Sequence, residues 1–189
     1  MSYQNLFPMQ VIAKRTGISR QFLNWALQML HVQPYQHLLE IGYGAGQLTE
    51  EVAQALRIGF VAGIEPSVTS YQQAYRRNRR FIRRQLLQLH IGDTFELSYP
   101  QLYFHTIYGN NIHLSRKDMY AELLRLTGLL RHKGRLVLLL TATRDNPDIK
   151  RTALQLREAC FNAGLKEVHT EHHRTLPDSH LALIAHKTL

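Results

Sequence analysis

The chain has 189 residues, of which 44% are hydrophobic, and 23 Lys and Arg against 14 Asp and Glu give a net charge of +9. This length predicts one domain with a single core, and the apolar fraction excludes a largely disordered chain. The single cysteine excludes an internal disulfide, the longest apolar run (136–140) is too short to span a membrane, and no signal peptide is recognisable. We therefore expect a soluble, cytoplasmic protein.

Hydrophobic periodicity predicts an alternation of helices and strands from the start of the chain. Apolar residues recur at helical spacing over 18–30, and a short strand over 35–41 leads into a glycine-rich segment. A helix from Leu48 and a strand over 60–65 complete a βαβ unit, which indicates a parallel sheet.

The alternation continues to the end of the chain. The predicted helices are 67–84, 117–131 (with Leu123, Leu124 and Leu130 buried) and 148–163, and the remaining predicted strands are 86–91, 102–108, 134–141, 166–174 and 180–186. The last two strands are expected to form an antiparallel pair across Pro177-Asp178. The fold class is thus α/β, an open sheet of about seven strands with helices on both faces. We expect one domain over 1–189, in which 1–33 cover the site and 34–189 form the core.

Three alternating glycines lie between the first strand and its helix, in Gly42-Tyr43-Gly44-Ala45-Gly46. Ligands of open parallel sheets bind at the carboxyl ends of the strands, where this loop is placed. Gly42 suits a tight turn, Gly44 lets a ligand approach the backbone, and Gly46 permits close packing at the helix start. A glycine-rich turn without a ligand is the alternative. It is disfavoured because three such glycines are costly unless something needs the space.

Acidic residues near this loop separate two classes of nucleotide ligand. The spacing GxGxG departs from the dinucleotide fingerprint GxGxxG, so NAD is a weak match. Glu65 ends the second strand, where a carboxylate can accept from both ribose hydroxyls, and Asp93 follows the third strand, where it can accept from an adenine amino group. Glu40 is a third acid, and Glu50 and Glu51 would repel a pyrophosphate at the helix start. A cationic adenosyl ligand without phosphates, S-adenosylmethionine, fits this pattern better.

Four motifs support the same ligand. They are Leu-Leu-Glu-Ile-Gly-Tyr-Gly-Ala-Gly (38–46), Gly-Ile-Glu-Pro-Ser (63–67), Gly-Asp (92–93) and Tyr-Gly-Asn-Asn (108–111). In this order they resemble the cofactor motifs of class I S-adenosylmethionine-dependent methyltransferases, over nearly the whole chain. The resemblance is closest to small bacterial ubiquinone/menaquinone-methyltransferase-like proteins, which share Gln33-Pro34 and the segment Ala74-Tyr-Arg-Arg-Asn78. It implies a Rossmann-like fold, with S-adenosylmethionine as cofactor and S-adenosylhomocysteine as product.

The resemblance also implies a role for each motif. The glycine loop would surround the methionine and sulfonium part of the cofactor, Glu65 the ribose and Asp93 the adenine. Asn110 and Asn111 would lie near the transferred methyl group, and His113, which follows the fourth strand, is the candidate catalytic base. The residues expected to bind the cofactor are Glu40, Gly42, Tyr43, Gly44, Gly46, Glu65, Pro66, Gly92, Asp93, Thr94, Asn110 and Asn111.

Two functions from different classes remain open. The first is methyl transfer to an O, N or C atom of a small-molecule acceptor. The second is a non-catalytic module that binds an adenosyl ligand or RNA. Departures from the family pattern favour the second, among them Phe104-His105 in place of Phe-Asp and His132-Lys-Gly134 in place of Pro-Gly-Gly.

Other polar clusters are weaker indications of function. Arginines on one face of the helix 67–84 suit RNA or an anionic lipid surface, although a solvated face is favoured; they are Arg76, Arg77, Arg79, Arg80, Arg83 and Arg84. His169, His172 and His173 resemble a metal cluster in composition, but neighbours on a strand point to opposite faces, so we predict no metal site. Cys160 lies mid-helix beside Phe161 and is expected in the core.

Overall fold

A computed structural model describes residues 18–112, 119–143, 147–174 and 179–188. The helices are α1 (Arg20–Leu30), α2 (Gln47–Ala55), α3 (Val68–Arg83), α4 (Met119–Leu129) and α5 (Ile149–Asn162), and a 3-10 turn spans Thr94–Glu96. The strands are β1 (His37–Ile41), β2 (Phe60–Glu65), β3 (Leu87–Ile91), β4 (Phe104–Asn110), β5 (Leu130–Thr141), β6 (Lys166–Arg174) and β7 (Ser179–His186).

The strands form one seven-stranded sheet in the order β3-β2-β1-β4-β5-β7-β6. The first five strands pair in parallel, and β7 runs antiparallel between β5 and β6. The predicted fold class is confirmed, including the antiparallel pair at the C-terminal end. Strand order reverses between β1 and β4, which is where open α/β sheets form their ligand crevice.

Helices cover both faces of the sheet because successive strand residues point to opposite sides. Leu38 of β1 packs with apolar residues of α1, α2 and α3 on one face. Its neighbour Leu39 packs with residues of α4 and α5 on the other face. Cys160 is fully buried in this second layer, as expected, and burial raises the pKa of its thiol to about 12. A thiol with such a pKa stays protonated at neutral pH and is a poor nucleophile.

The predicted N-terminal helix is present and belongs to the core. Phe22, Trp25 and Leu30 are buried, and the Trp25 ring stacks on His173 and His180 with ring centroids 5.8 and 5.7 Å apart. Residues 1–17 lie outside the described part of the chain, so a segment 1–33 that covers the site stays a prediction.

The junction between α4 and β5 differs from the sequence-based prediction. The helix ends at Leu129 and the strand begins at Leu130, four residues earlier than expected, while Leu124 is half exposed rather than buried. Leu130 pairs with Phe104, and the Lys187 ammonium donates to the carbonyl oxygens of Thr127 (2.8 Å) and Leu130 (3.0 Å). A cation at the end of a helix stabilises its last carbonyls. Lys187, nearly sixty positions away, therefore fixes the boundary between α4 and β5, and the hydrophobic periodicity of the helix does not indicate it.

No helix in the described ranges is both long and apolar enough to span a membrane.

Candidate functional site

A cavity of about 460 Å³ opens at the carboxyl ends of β1, β2, β3 and β4, beside the point where strand order reverses. Its volume lies in the usual range of small-molecule sites. It is lined by Ile41, Gly42, Ile64, Glu65, Pro66, Gly92, Asp93, Thr94, Phe95, Asn110, Asn111, Ile112 and Glu122. Eight of the twelve predicted cofactor residues are in this lining. Glu40, Tyr43, Gly44 and Gly46 are not.

The glycine loop has the conformation that its sequence predicts. Gly42, Gly44 and Gly46 have φ of 67°, 49° and 72°, in the left-handed region that favours glycine. A Cβ at Gly46 would come within 2.6 Å of Asn78 Nδ2 and 2.8 Å of the Ala74 Cβ, whereas one at Gly44 would meet nothing within 4 Å. Gly46 thus permits α2 to pack against α3, and Gly44 leaves open space, as expected for each.

Glu65 connects this loop to the end of β2. Its carboxylate oxygens accept hydrogen bonds from the backbone N–H groups of Gly44 and Ser67, each at 3.1 Å. The side chain is half-buried and also lines the cavity. The acid predicted to bind a ribose therefore also holds the glycine loop.

Glu40 and Tyr43 belong to the support beneath the loop. Glu40 is buried, and its Oε2 accepts from the hydroxyls of Thr49 (2.6 Å) and Tyr108 (2.9 Å). Burial raises the pKa of Glu40 to about 7, although both hydroxyl bonds oppose the shift. The Tyr43 hydroxyl donates to the His90 carbonyl oxygen at 2.9 Å. Their polar groups are engaged inside the protein rather than in the cavity.

The end of the cavity after β3 holds two acids with different surroundings. Asp93 is exposed, and its Oδ1 accepts from the Phe95 N–H at 2.8 Å, which caps the 3-10 turn. Thr94 is buried and its hydroxyl donates to Glu122 Oε1 at 3.2 Å. Glu122 was not predicted from the sequence, because an acid in the first turn of a helix is ordinarily explained by the helix dipole. Leu123 and Leu126 follow Glu122 at helical spacing and are buried, and these apolar residues are the sequence signal that this turn of α4 faces the sheet.

The two asparagines at the end of β4 have separate roles. Asn110 Oδ1 is buried and accepts no hydrogen bond from any described residue. Asn110 also lines the cavity. Asn111 has a φ of 49° and its Oδ1 accepts from the Thr141 N–H at 2.7 Å, which joins the ends of β4 and β5.

The charge of the cavity is one-sided. Glu65, Asp93 and Glu122 are acidic, and the described part of the lining contains no Lys, Arg or His. Such a site favours a cationic or hydrogen-bond-donating ligand over a phosphate. His113 lies outside the described residues, so its assignment as catalytic base stays a prediction.

The basic face of α3 is divided rather than uniform. Arg77 Nε donates to the Ala45 carbonyl oxygen at 3.0 Å, and Arg77 and Arg80 both lie 3.4 Å from the Glu50 carboxylate. Arg77 therefore contacts the glycine loop, whereas the sequence favours a solvated face for all of these arginines. At the other edge of the sheet, His173 packs on Trp25 and His169 on His186. No cluster suited to a metal ion is found among the described residues.

No protein-family model and no curated protein sequence matches the chain, but solved structures do. The [4+2]-cyclase SpnF matches 89% of this chain and 81% of its own, with a TM-score of 0.72 and 16% identity. A second match is geranyl diphosphate C-methyltransferase from Streptomyces coelicolor A3(2), in complex with Mg²⁺, geranyl diphosphate and S-adenosyl-L-homocysteine. It matches 89% of this chain and 80% of its own, with a TM-score of 0.70 and 11% identity. A third match is phosphoethanolamine N-methyltransferase 2 from Haemonchus contortus, in complex with S-adenosyl-L-methionine. It matches 89% of this chain and 52% of its own, with a TM-score of 0.71 and 12% identity.

The sheet order, the helix layers and these likenesses define the fold of the chain. It is the Rossmann-like fold of class I S-adenosylmethionine-dependent methyltransferases, as the motifs predicted. The closer resemblance to ubiquinone/menaquinone-methyltransferase-like proteins stays a prediction. Because one fold hosts several activities, the residues of the site and not the fold determine the function.

Proposed function

We propose that this protein is an S-adenosylmethionine-dependent methyltransferase that acts on an O, N or C atom of a small-molecule acceptor. The observation that carries the proposal is the cavity at the switch point, where the charged side chains among the described lining residues are all carboxylates. A pyrophosphate would be repelled there, whereas a sulfonium cation would be attracted.

The residues present fit this cofactor. Glu65 offers a carboxylate to the ribose hydroxyls, and Gly44 leaves its backbone approachable. The buried, unsatisfied Asn110 Oδ1 needs a donor, which the ammonium group of the methionine part or an acceptor molecule would supply. Asp93 and Thr94 would lie at the adenine end.

Methyl transfer requires mainly that the cofactor and the acceptor are held in the reactive geometry. When bound, S-adenosylmethionine would supply a methyl group whose carbon the acceptor atom attacks in line with the carbon–sulfur bond, which breaks to leave S-adenosylhomocysteine. This chain would hold the two reactants in that geometry and exclude water, which lowers the barrier without a nucleophile from the protein. His113 is proposed to take the proton from an acceptor that must lose one.

Two of the solved structures support a small-molecule acceptor. One is a geranyl diphosphate C-methyltransferase with geranyl diphosphate bound, and the other is a phosphoethanolamine N-methyltransferase. The acceptors differ in size and polarity, so they support the substrate class and not an individual compound.

A second candidate is a module that binds an adenosyl ligand without methyl transfer. SpnF, which shares this fold, is a [4+2]-cyclase, so the fold is not confined to methyl transfer. An RNA-binding form of this candidate would use Arg76, Arg83 and Arg84, which make no ion pair within the described residues.

A thermal-shift comparison tests the cofactor. S-adenosylhomocysteine at a hundred times its Kd should raise the unfolding free energy by about 2.7 kcal/mol, which is roughly 5–10 °C in Tm for a domain of this size. NAD should have no effect. Stabilisation by NAD alone would overturn the cofactor assignment.

Turnover separates the two candidate functions. The protein is incubated with S-adenosylmethionine and panels of amines, phenols, carboxylic acids and short RNAs, and S-adenosylhomocysteine is measured. Production that depends on a small-molecule acceptor supports the methyltransferase. Binding without production over the whole panel favours the non-catalytic module.

A further inference from the structure

A second groove lies between α5 and β6, and its lining shares no residue with the cavity at the switch point. Its volume is about 330 Å³. Lys150, Leu154 and Arg157 line it from α5, where they fall within about 60° of the helix surface. Thr170 and His172 line it from β6, where side chains two residues apart point to the same face. The groove is therefore bounded by one flank of a helix and one face of a strand.

The charge of this groove is positive. Its basic residues are Lys150, Arg157 and His172, the described lining contains no acid, and none of the three is in an ion pair with a described residue. The acids next to them in the sequence lie elsewhere. Glu158 lines a separate cleft between α4 and α5, and Glu171 points to the opposite face of β6. A lysine and an arginine at the two ends of the groove favour a partner with two negative charges.

The groove is open toward the outer edge of β6. This strand is the last in the order of the sheet, so its outer edge pairs with no strand among the described residues. It runs over nine residues (Lys166–Arg174), and its register with β7 is regular from His169 onward. An open edge carries N–H and C=O groups that can pair with a further strand. Alternate side chains of an added strand would enter the groove beside α5.

We propose that this groove binds an extended acidic segment of a partner protein, which adds as a further strand to the outer edge of β6. Lys150 and Arg157 are seven residues apart on α5, which is about 10 Å. Residues i, i+2 and i+4 of an extended strand share a face and span about 13 Å, a distance that long side chains can match. Leu154, which is 65% exposed, lies between the two cations. The segment that fits has an acid, an apolar residue and an acid at these three positions.

A synthetic peptide tests the charge pattern by fluorescence anisotropy. The probe is a labelled, amidated Thr-Glu-Val-Leu-Val-Glu-Thr, and the comparison peptide has lysine in place of both glutamates. Wild type should bind the first at least about tenfold more tightly than the second, because the basic groove repels lysine. Equal affinities would overturn the proposal, and this comparison needs no variant of the protein.

A matched pair of variants locates the binding site. Arg157→Glu should weaken binding of the acidic peptide by about five- to thirtyfold, because one attraction becomes a repulsion of similar size. Arg151→Glu makes the same change of charge on α5 outside the lining of the groove, and should alter the affinity by no more than about twofold at physiological salt. Equal effects of the two substitutions would show that only the net charge of the protein matters.

Hydrogen exchange tests whether the peptide adds to the sheet. Amide hydrogens of alternate β6 residues, those on the outer edge, should exchange at least about tenfold more slowly with the peptide bound, while the amides of β3 at the opposite edge should not change. A bound peptide that leaves the exchange of β6 unchanged would overturn strand addition. A short RNA that competes with the peptide and binds more tightly would assign the groove to nucleic acid instead.

This inference does not depend on the proposed function, and the two can fail separately. The thermal shift produced by S-adenosylhomocysteine should be the same in wild type and Arg157→Glu. Its absence in wild type would overturn the cofactor assignment and leave the peptide results unaffected.

Discussion

The carboxylates in and beneath the cavity have different structural roles because their burial and hydrogen-bond partners differ. Glu40 is buried beneath two hydroxyl donors, Glu65 accepts from two backbone N–H groups, and Asp93 is exposed and caps a turn. Their positions in the motifs are visible in the sequence. The partners of Glu40, Thr49 and Tyr108, lie 9 and 68 positions away, and Gly44 lies 21 positions from Glu65.

Glu65→Gln should weaken binding of S-adenosylhomocysteine by roughly ten- to a hundredfold, because an amide offers one acceptor oxygen where a carboxylate offers two. The amide NH₂ would also face one of the two N–H donors of Gly44 and Ser67, so we expect the unfolding free energy to fall by about 1 kcal/mol. Calorimetric titration measures the first effect and urea denaturation the second.

Glu171→Gln, an exposed position on β6, is the matched control for the charge. Equal affinities of wild type and a folded Glu65→Gln would show that this acid serves the loop only.

At the level of elements, the glycine loop is held from two sides. Glu65 of β2 accepts from Gly44, and α3 approaches through Asn78, whose Nδ2 donates to the Gly46 carbonyl oxygen at 3.0 Å. Arg77, one residue earlier, donates to Ala45. The loop conformation therefore depends on the packing of α2 against α3.

Two glycine substitutions separate backbone strain from steric clash. Gly44→Ala and Gly46→Ala both force an alanine into the left-handed region, at about 1–2 kcal/mol. Only at Gly46 would the new methyl group meet Asn78 and Ala74, at 2.6 and 2.8 Å. We expect Gly46→Ala to be less stable than Gly44→Ala by about 1–3 kcal/mol in urea denaturation. Equal losses would indicate that the helices separate without cost.

An element can be predicted from the sequence when residues within it or beside it determine its structure. β2 and the C-terminal half of β5 are predictable because a buried parallel strand is a continuous apolar run bounded by glycine or a charge. The end of α4 was misplaced because Lys187 and the pairing of Leu130 with Phe104 determine it. Gly42 and Asn110 were placed in the cavity by motif, whereas Glu122 reaches it through the packing of α4, which no motif reports.

At the level of the whole molecule, charge is segregated. The net charge of +9 is carried in part by the exposed side of α3, while the described lining of the cavity is acidic. Buried ionisable groups add a pH dependence to the global stability that the net charge does not describe.

Glu40 should make that pH dependence measurable. Its folded-state pKa is raised to about 7 from an ordinary value of 4.5, so it stays protonated in the folded protein where the unfolded chain has ionised. The stability it contributes is complete below pH 4.5 and is lost as the pH rises through 7. The unfolding free energy of wild type should therefore fall by up to about 3 kcal/mol between these limits relative to Glu40→Gln.

Urea denaturation of both proteins at several values between pH 4.5 and 8 measures this difference. Parallel curves would contradict the raised pKa, and would indicate that the hydroxyls of Thr49 and Tyr108 keep the carboxylate ionised.

The contact of Gly46 with Ala74 and Asn78 has an evolutionary consequence. A side chain at position 46 would overlap Asn78 and Ala74, so the glycine can be replaced only after a compensating change at one of them. Related sequences should therefore inherit Gly46 together with Ala74 and Asn78, which lie about thirty residues further along the chain. A lineage that replaces the glycine is expected to have lost the asparagine first.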